Sequence, residues 1–245
     1  MPEQRRIAAL LEKVDRLRRT RRYARQLSDT FLQSVFLDMF GNPNCERRAL
    51  EELAIKKRGS FVNGPFGSNL LTRELVPNGV PVIYIRDISE ARYQRVSAVC
   101  VTPDKAEELK ICQAEGGDVL VAKVGDPPGT AAIYPRGEPV GVITQDVIRI
   151  KLNLDLVTPE YLVNFFNSKR GFDTLKPIIV EGTRSRFGLT PFKELPIPTP
   201  PLPLQQKFAD IVRRFERLRA QQREAERQAE HLFQTLLHRA FKEGM

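Results

Sequence analysis

In "VEGTRSRFGL" (180–189), Arg184 and Arg186 alternate with the hydroxyls of Thr183 and Ser185, between Gly182 and Gly188. A guanidinium presents a planar fork of donors that suits phosphate oxygens and the O6/N7 edge of guanine, and turn hydroxyls suit phosphates as well. A second loop, "KKRGSFVNGPFGSNL" (56–70), sets Lys57 and Arg58 ahead of Gly64, Phe66, Gly67 and Ser68. It lacks the Lys-Ser/Thr ending of a phosphate-cradling loop, which argues against a nucleoside triphosphate. Lys123 opens a third loop, "KVGDPPGTA", and Thr144 and Gln145 lie in "VITQDV". The amide of Gln145 has the paired donor and acceptor that read an adenine edge. Each loop taken alone reads more readily as a solvated turn, and it is the presence of several on one domain that points toward DNA.

Catalytic chemistry finds less support. "GDPPG" (125–129) resembles the Asp/Asn/Ser-Pro-Pro-aromatic motif of amino-methyltransferases, whose ring stacks on the flipped base, but Gly129 stands at the aromatic position. "PDKAEELK" (103–110) has the letters of a metal nuclease, but its carboxylates are too close in sequence for two adjacent strands. A charge-rich helix start reads the same way. His231 and His238 share one helical segment without other ligands nearby. Cys45, Cys100 and Cys112 have no CxxC spacing and are odd in number, so neither a disulfide framework nor a zinc site is suggested. The residues assemble no catalytic set, no metal site and no cofactor site.

The loops need a frame to hold them. Over 50–198, short apolar runs alternate with turns, and strands are expected at 80–88, 118–125, 130–135, 140–152 and 195–200. A helix is expected at 158–176, with Thr158 as its cap and Glu160 in its first turn. So few helices among so many short strands point to a mixed α+β domain and away from a doubly wound sheet.

The two ends differ from this middle and resemble each other. Shifted by 201 positions, the C-terminal segment aligns on the N-terminal one without a gap: Pro2/Pro203, Gln4/Gln205, Arg16/Arg217, Arg18/Arg219, Arg22/Arg223 and Gln33/Gln234. Polar identities of this kind exceed what two unrelated amphipathic helices share, and mark a duplication. Each copy reads as a long helix with apolar residues at three- and four-residue steps. Ile7, Leu10, Val14, Leu17, Phe31 and Val35 form the first seam, and Phe208, Ile211, Phe215, Leu218, Leu232 and Leu236 the second. A seam of that period buries only against another helix. Five prolines within "LPIPTPPLP" (195–203) make a stiff extended spacer ahead of the second copy. These breaks divide the chain into a helix at 1–40, a central domain at 41–202 and a helix at 203–245.

The net charge is +9. Residues 1–40 carry nine Lys/Arg against five Asp/Glu, and 203–245 carry nine against six, so the excess concentrates in the terminal copies. A basic balance points to a polyanionic partner such as nucleic acid, although arginine-rich helices are also well-solvated helices. No apolar run approaches a membrane span, and the N-terminus is too charged for a secretory signal. With unpaired cysteines, the expected setting is the cytoplasm, away from membranes.

Three stretches together resemble the DNA-specificity (S) subunit of type I restriction–modification systems. "PEQRRIAALLEKVDRLRRTRR…FLDMFGN" is similar to the central helix of that family. "GPFGSNLLTRELVPNGVPVIYIRDI" is similar to the opening of its target-recognition domains, and "GTRSRFGLTPFKELPIPTPPLPLQQKFADIV" to their exit into the next helix. The resemblance implies one mixed target-recognition domain flanked by two long helices that form an antiparallel coiled coil. It further implies a non-catalytic subunit that binds double-stranded DNA and recruits methyltransferase (M) subunits and, through them, a restriction (R) subunit. Family members carry two recognition domains and begin on the first. This sequence begins on a helix and has one, so a half-length version or carboxy-terminal half is expected, completed by a second half from another copy or a separate chain. A self-sufficient DNA adenine methyltransferase and a coiled-coil scaffold that binds no DNA remain the alternatives.

Overall fold

The computed structural model describes residues 2–41, 45–89 and 91–242, without the side chains of 2–8, 10, 11, 21, 22, 24–30, 236 and 239–242. Its helices are α1 (Pro2–Phe40), α2 (Pro103–Glu108), α3 (Pro159–Phe166), α4 (Lys169–Leu175), α5 (Leu189–Lys193) and α6 (Leu202–Lys242). The chain divides into two compact units, one holding most of α1 and α6, the other Phe40–Ala209.

In the larger unit, one sheet is antiparallel throughout, with strands in the order Ala131–Ile133, Val119–Ala122, Val147–Ile150, Phe61–Asn63. The second is mixed, in the order Leu75–Val76, Cys100–Val101, Val80–Ile83, Gly141–Ile143, Gln113–Ala114. Its central pair, Val80–Ile83 with Gly141–Ile143, is parallel. This is the mixed α+β architecture that the sequence implies. Alternation along the strands sends neighbours to opposite faces. Ile83 and Ile143 join Leu120, Ala132, Tyr134 and Val147 in a core shared by the two sheets. Val82 and Val142 point the other way, to Val101 and to Ala106 and Leu109 on and beside α2.

The helices close the remaining apolar surface. Thr158 caps α3, its hydroxyl accepting from the Tyr161 amide as expected. The helix foreseen at 158–176 breaks in two because Ser168 recaps the chain, accepting from the Gly171 amide. Phe192 of α5 is fully buried against the rings of Phe61, Phe166 and Phe187. Burying one such side chain contributes roughly 1.5–3 kcal/mol. The proline-rich spacer is partly a strand: Pro196–Pro198 pairs antiparallel with Arg47–Ala49. Prolines are tolerated in this two-stranded edge because few ladder donors are required of them.

The long helices make their mutual contacts in antiparallel sense. Phe31 stacks on Phe215 with ring centroids 5.6 Å apart. Towards the other end, Arg18 pairs with Glu230 at 2.7 Å and lies over the Phe233 ring. The expected seam needs correction. Val14 is buried and Val35, Ile211 and Phe215 are half-buried, but Leu17, Leu218 and Leu232 are 46, 55 and 50% exposed. Phe31 is also half exposed, while Leu32, Phe36 and Phe40 form a buried row at four-residue steps. A strict 3.5-residue seam drifts around a 3.6-residue helix, and here the buried stripe has moved on by one residue. Phe208 is buried, but in the larger unit, where its ring meets that of Phe40. Ile7, Leu10 and Leu236 lie outside the described side chains. Among the described residues, no helix is long and apolar enough to cross a membrane.

Candidate nucleic-acid interface

Three chain segments meet at one end of the antiparallel sheet. The first is the exit of strand Val119–Ala122, where the Lys123 amide donates to the Asp146 carbonyl at 2.8 Å. The second is the 144–146 turn leading into strand Val147–Ile150. The third is the hairpin of Ile179–Val180 with Arg186–Phe187, docked by a bridge between Val124 and Arg186 and by the Gly125 amide donating to the Ser185 carbonyl. The run expected as one strand at 140–152 is therefore two strands in different sheets. Thr144 marks the crossing: both its amide and its hydroxyl donate to the Ile83 carbonyl.

Two open clefts result. One, of 840 Å³, is lined by Lys123, Gln145, Asp146, Thr183, Arg184 and Arg186 among others. Its neighbour, of 730 Å³, shares Asp146, Thr183 and Arg184 and adds Tyr84, Arg86, Asp126 and Ser185. Six of the residues singled out in the sequence thus come together: Lys123, Gln145, Thr183, Arg184, Ser185 and Arg186. Gln145, Thr183, Arg184 and Arg186 are exposed. The "GPFGS" loop leaves from the same end, since the Gly64 amide donates to the Val147 carbonyl. Phe66, Gly67 and Ser68 are exposed there, Phe66 by 70%. Gly64 itself is buried against the 144 peptide, where a Cβ would overlap the Thr144 carbonyl, so its part is to let two backbones approach.

Lys57 and Arg58 do not join this group. They are exposed, but at the far end of the sheet, where the Ile55 amide donates to the Lys151 carbonyl and the Lys151 amide to the Ser60 carbonyl. The four-residue strand Val147–Ile150 separates them from Gln145, a span of about 13 Å. That far end holds a buried ion pair, Arg149 with Asp118 at 3.8 Å. Burial holds the Arg149 guanidinium below its usual range and pushes the Asp118 carboxyl up. Arg149 also donates to the Ile111 carbonyl at 2.6 Å.

Arg86 and Tyr84 were not anticipated, because "VPVIYIRDI" reads as an uninterrupted strand. Instead the strand stops at Ile83 and a 3₁₀ turn, Ile85–Asp87, follows. A charged pair inside an apolar run was the available signal. Asp87 is fully buried and accepts from the amides of Tyr84, Val96 and Ser97 at 2.8–2.9 Å.

The clefts carry cations, carboxylates, an amide and hydroxyls together. A surface that tracked phosphates alone would have little use for Asp126 and Asp146, whereas base edges offer donors as well as acceptors. Among the described residues, no group of three or more His, Cys, Asp or Glu is placed to hold a metal ion.

The profile of the type I restriction modification DNA specificity domain matches residues 70–229. The chain belongs to this family. Solved structures with the same fold include a chain from the complex assembly and conformational transition of a type I R-M system, at TM-score 0.60 and 21% identity. Others are the HsdS subunit of Thermoanaerobacter tengcongensis (0.54, 20%) and the type I restriction–modification S subunit of M. genitalium (0.52, 16%). The alignments cover 98, 100 and 98% of this chain but 59% of each of those chains. No curated protein matches the sequence.

Proposed function

We propose that this chain is a non-catalytic DNA-reading subunit of a type I restriction–modification complex. The central domain reads one half of a bipartite duplex site, and the paired helices hold the methyltransferase subunits, which in turn bring the restriction subunit. A second specificity half, from another copy or a separate chain, reads the other half-site, with helix length setting the gap between them. The chain carries no S-adenosylmethionine site or other cofactor, and works in the cytoplasm.

The observation that carries this reading is the gathering of Lys123, Gln145, Thr183, Arg184, Ser185 and Arg186 from separate segments around two adjoining open clefts. Within that frame, Gln145 is assigned to an adenine and Arg184 or Arg186 to a guanine, with Phe66, Gly67 and Ser68 flanking the duplex. Co-purification with the methyltransferase subunit, followed by duplex binding across a salt series, tests it. The assembly is expected to bind a defined sequence with an affinity that falls steeply with salt, and the isolated chain to bind weakly and to take up no S-adenosylmethionine. Cofactor uptake by the isolated chain would instead favour a self-sufficient methyltransferase. An assembly without salt-dependent DNA binding would leave only a scaffold.

A further inference from the structure

Arg86 differs from the other arginines at the clefts. Among the described residues, the side chains of Arg184 and Arg186 have no hydrogen-bond partner, so each must be ordered when a ligand arrives. Arg86 is already held. Its Nε donates to Ser97 Oγ at 2.7 Å, and its guanidinium carbon lies 4.5 Å from the centre of the Tyr84 ring. Ser97 is itself buried, and its amide donates to the fully buried Asp87 carboxylate at 2.9 Å. The same carboxylate accepts from the Tyr84 amide, so one buried acid fixes both the ring under the guanidinium and the serine beside it. Arg86 remains exposed, and among the described residues its two terminal nitrogens have no hydrogen-bond partner.

From this geometry we infer that Arg86 is a specificity-determining residue that reads a guanine. With Nε occupied and one face covered by Tyr84, what is left is the terminal pair of nitrogens on a fixed plane. That fork matches the O6 and N7 acceptors of guanine in the major groove. A phosphate accepts from the same fork, but it is present at every step of the duplex, so only a guanine contact makes binding depend on the base at one position. Holding the side chain beforehand removes ordering cost at binding, which favours the matched base over its competitors. The inference rests on the DNA-reading function proposed above.

The test is selection from a random duplex library by the chain assembled with its methyltransferase subunit, as wild type, Arg86→Gln, Arg86→Lys and Ser97→Ala. These are surface or isosteric changes, and equal melting temperatures verify folding. Wild type is expected to select a motif containing a guanine whose replacement by adenine costs about 10- to 100-fold in affinity. Arg86→Gln and Arg86→Lys should both lose discrimination at that one position and keep it elsewhere, and Ser97→Ala should weaken it several-fold. An unchanged motif overturns the assignment. So does a uniform loss that Arg86→Lys restores, because that is the behaviour of a phosphate contact. A wild-type assembly that selects no motif overturns the DNA-reading function itself, and this assignment with it.

Discussion

Gly64 shows how closely the site depends on single atoms. The backbone of its loop lies against the Thr144 peptide with no room for a Cβ, and Gln145 follows directly on that peptide. Gly64→Ala must push the 144–146 turn aside, and overpacking of this kind costs about 1–3 kcal/mol. The variant is expected to show a lower urea midpoint and weaker specific DNA binding, both read in the assembled complex. The sequence marked Gly64 as a loop glycine and gave no sign of the partner that makes it necessary. It likewise marked Arg184 and Gln145 by residue type. Arg86 escaped because its side chain leaves a run whose pattern is that of a buried strand. Only the fold shows the turn that ends that strand at Ile83.

At the scale of elements, the first turn of α6 belongs to the larger unit. Gln205 is fully buried there; its amide nitrogen donates to the carbonyls of Leu156 and Pro200, and its oxygen accepts from the Thr158 amide at 2.9 Å. One side chain thus ties the start of α6 to the cap of α3. Gln205→Ala leaves those backbone groups buried and unpaired, and a loss of about 1–3 kcal/mol in urea unfolding is expected. The duplication made this glutamine visible, paired with Gln4, but its purpose was not legible. Two of its three partners lie 47 and 49 residues away in sequence. The helix seam shows the converse. Two long helices were evident from periodicity, yet the register of burial slipped from Phe31 and Val35 to Leu32 and Phe36, because two nearly equal apolar stripes run side by side.

The 3₁₀ turn Thr72–Glu74 carries a pH-dependent tie. The Leu71 amide donates to the Glu74 carboxylate at 2.7 Å and Lys105 pairs with it at 2.9 Å, which together hold the Glu74 carboxyl below its usual range. Glu115 is held low in the same direction, chiefly by the hydrogen bond from Lys151. Carboxyls lowered in the folded state contribute stability above their ordinary value of 4.5 and lose it as pH falls through the folded value. Burial raises Asp118, so its contribution has the opposite sign and diminishes as pH rises above 3.8. The expected outcome is a urea midpoint that falls on acidification below about pH 4.5, with a shallower fall in Glu74→Gln.

For the molecule as a whole, the proposed DNA reading requires that one end of the antiparallel sheet be the face that meets DNA. The net charge of +9 suggests a polyanion without locating it, and by residue type Lys57 and Arg58 are as suitable as Lys123 and Arg184. Antiparallel pairing separates them: residues before strand Phe61–Asn63 emerge at the end opposite the 144–146 turn. The most direct measurement is the affinity of the assembled complex for its selected duplex after alanine substitution at each end. Gln145→Ala and Arg184→Ala are expected to weaken specific binding by about tenfold or more, in keeping with individual base contacts, while Lys57→Ala and Arg58→Ala leave it within about twofold. The reverse pattern, with binding lost at 57 and 58 and retained at 145 and 184, would contradict the account.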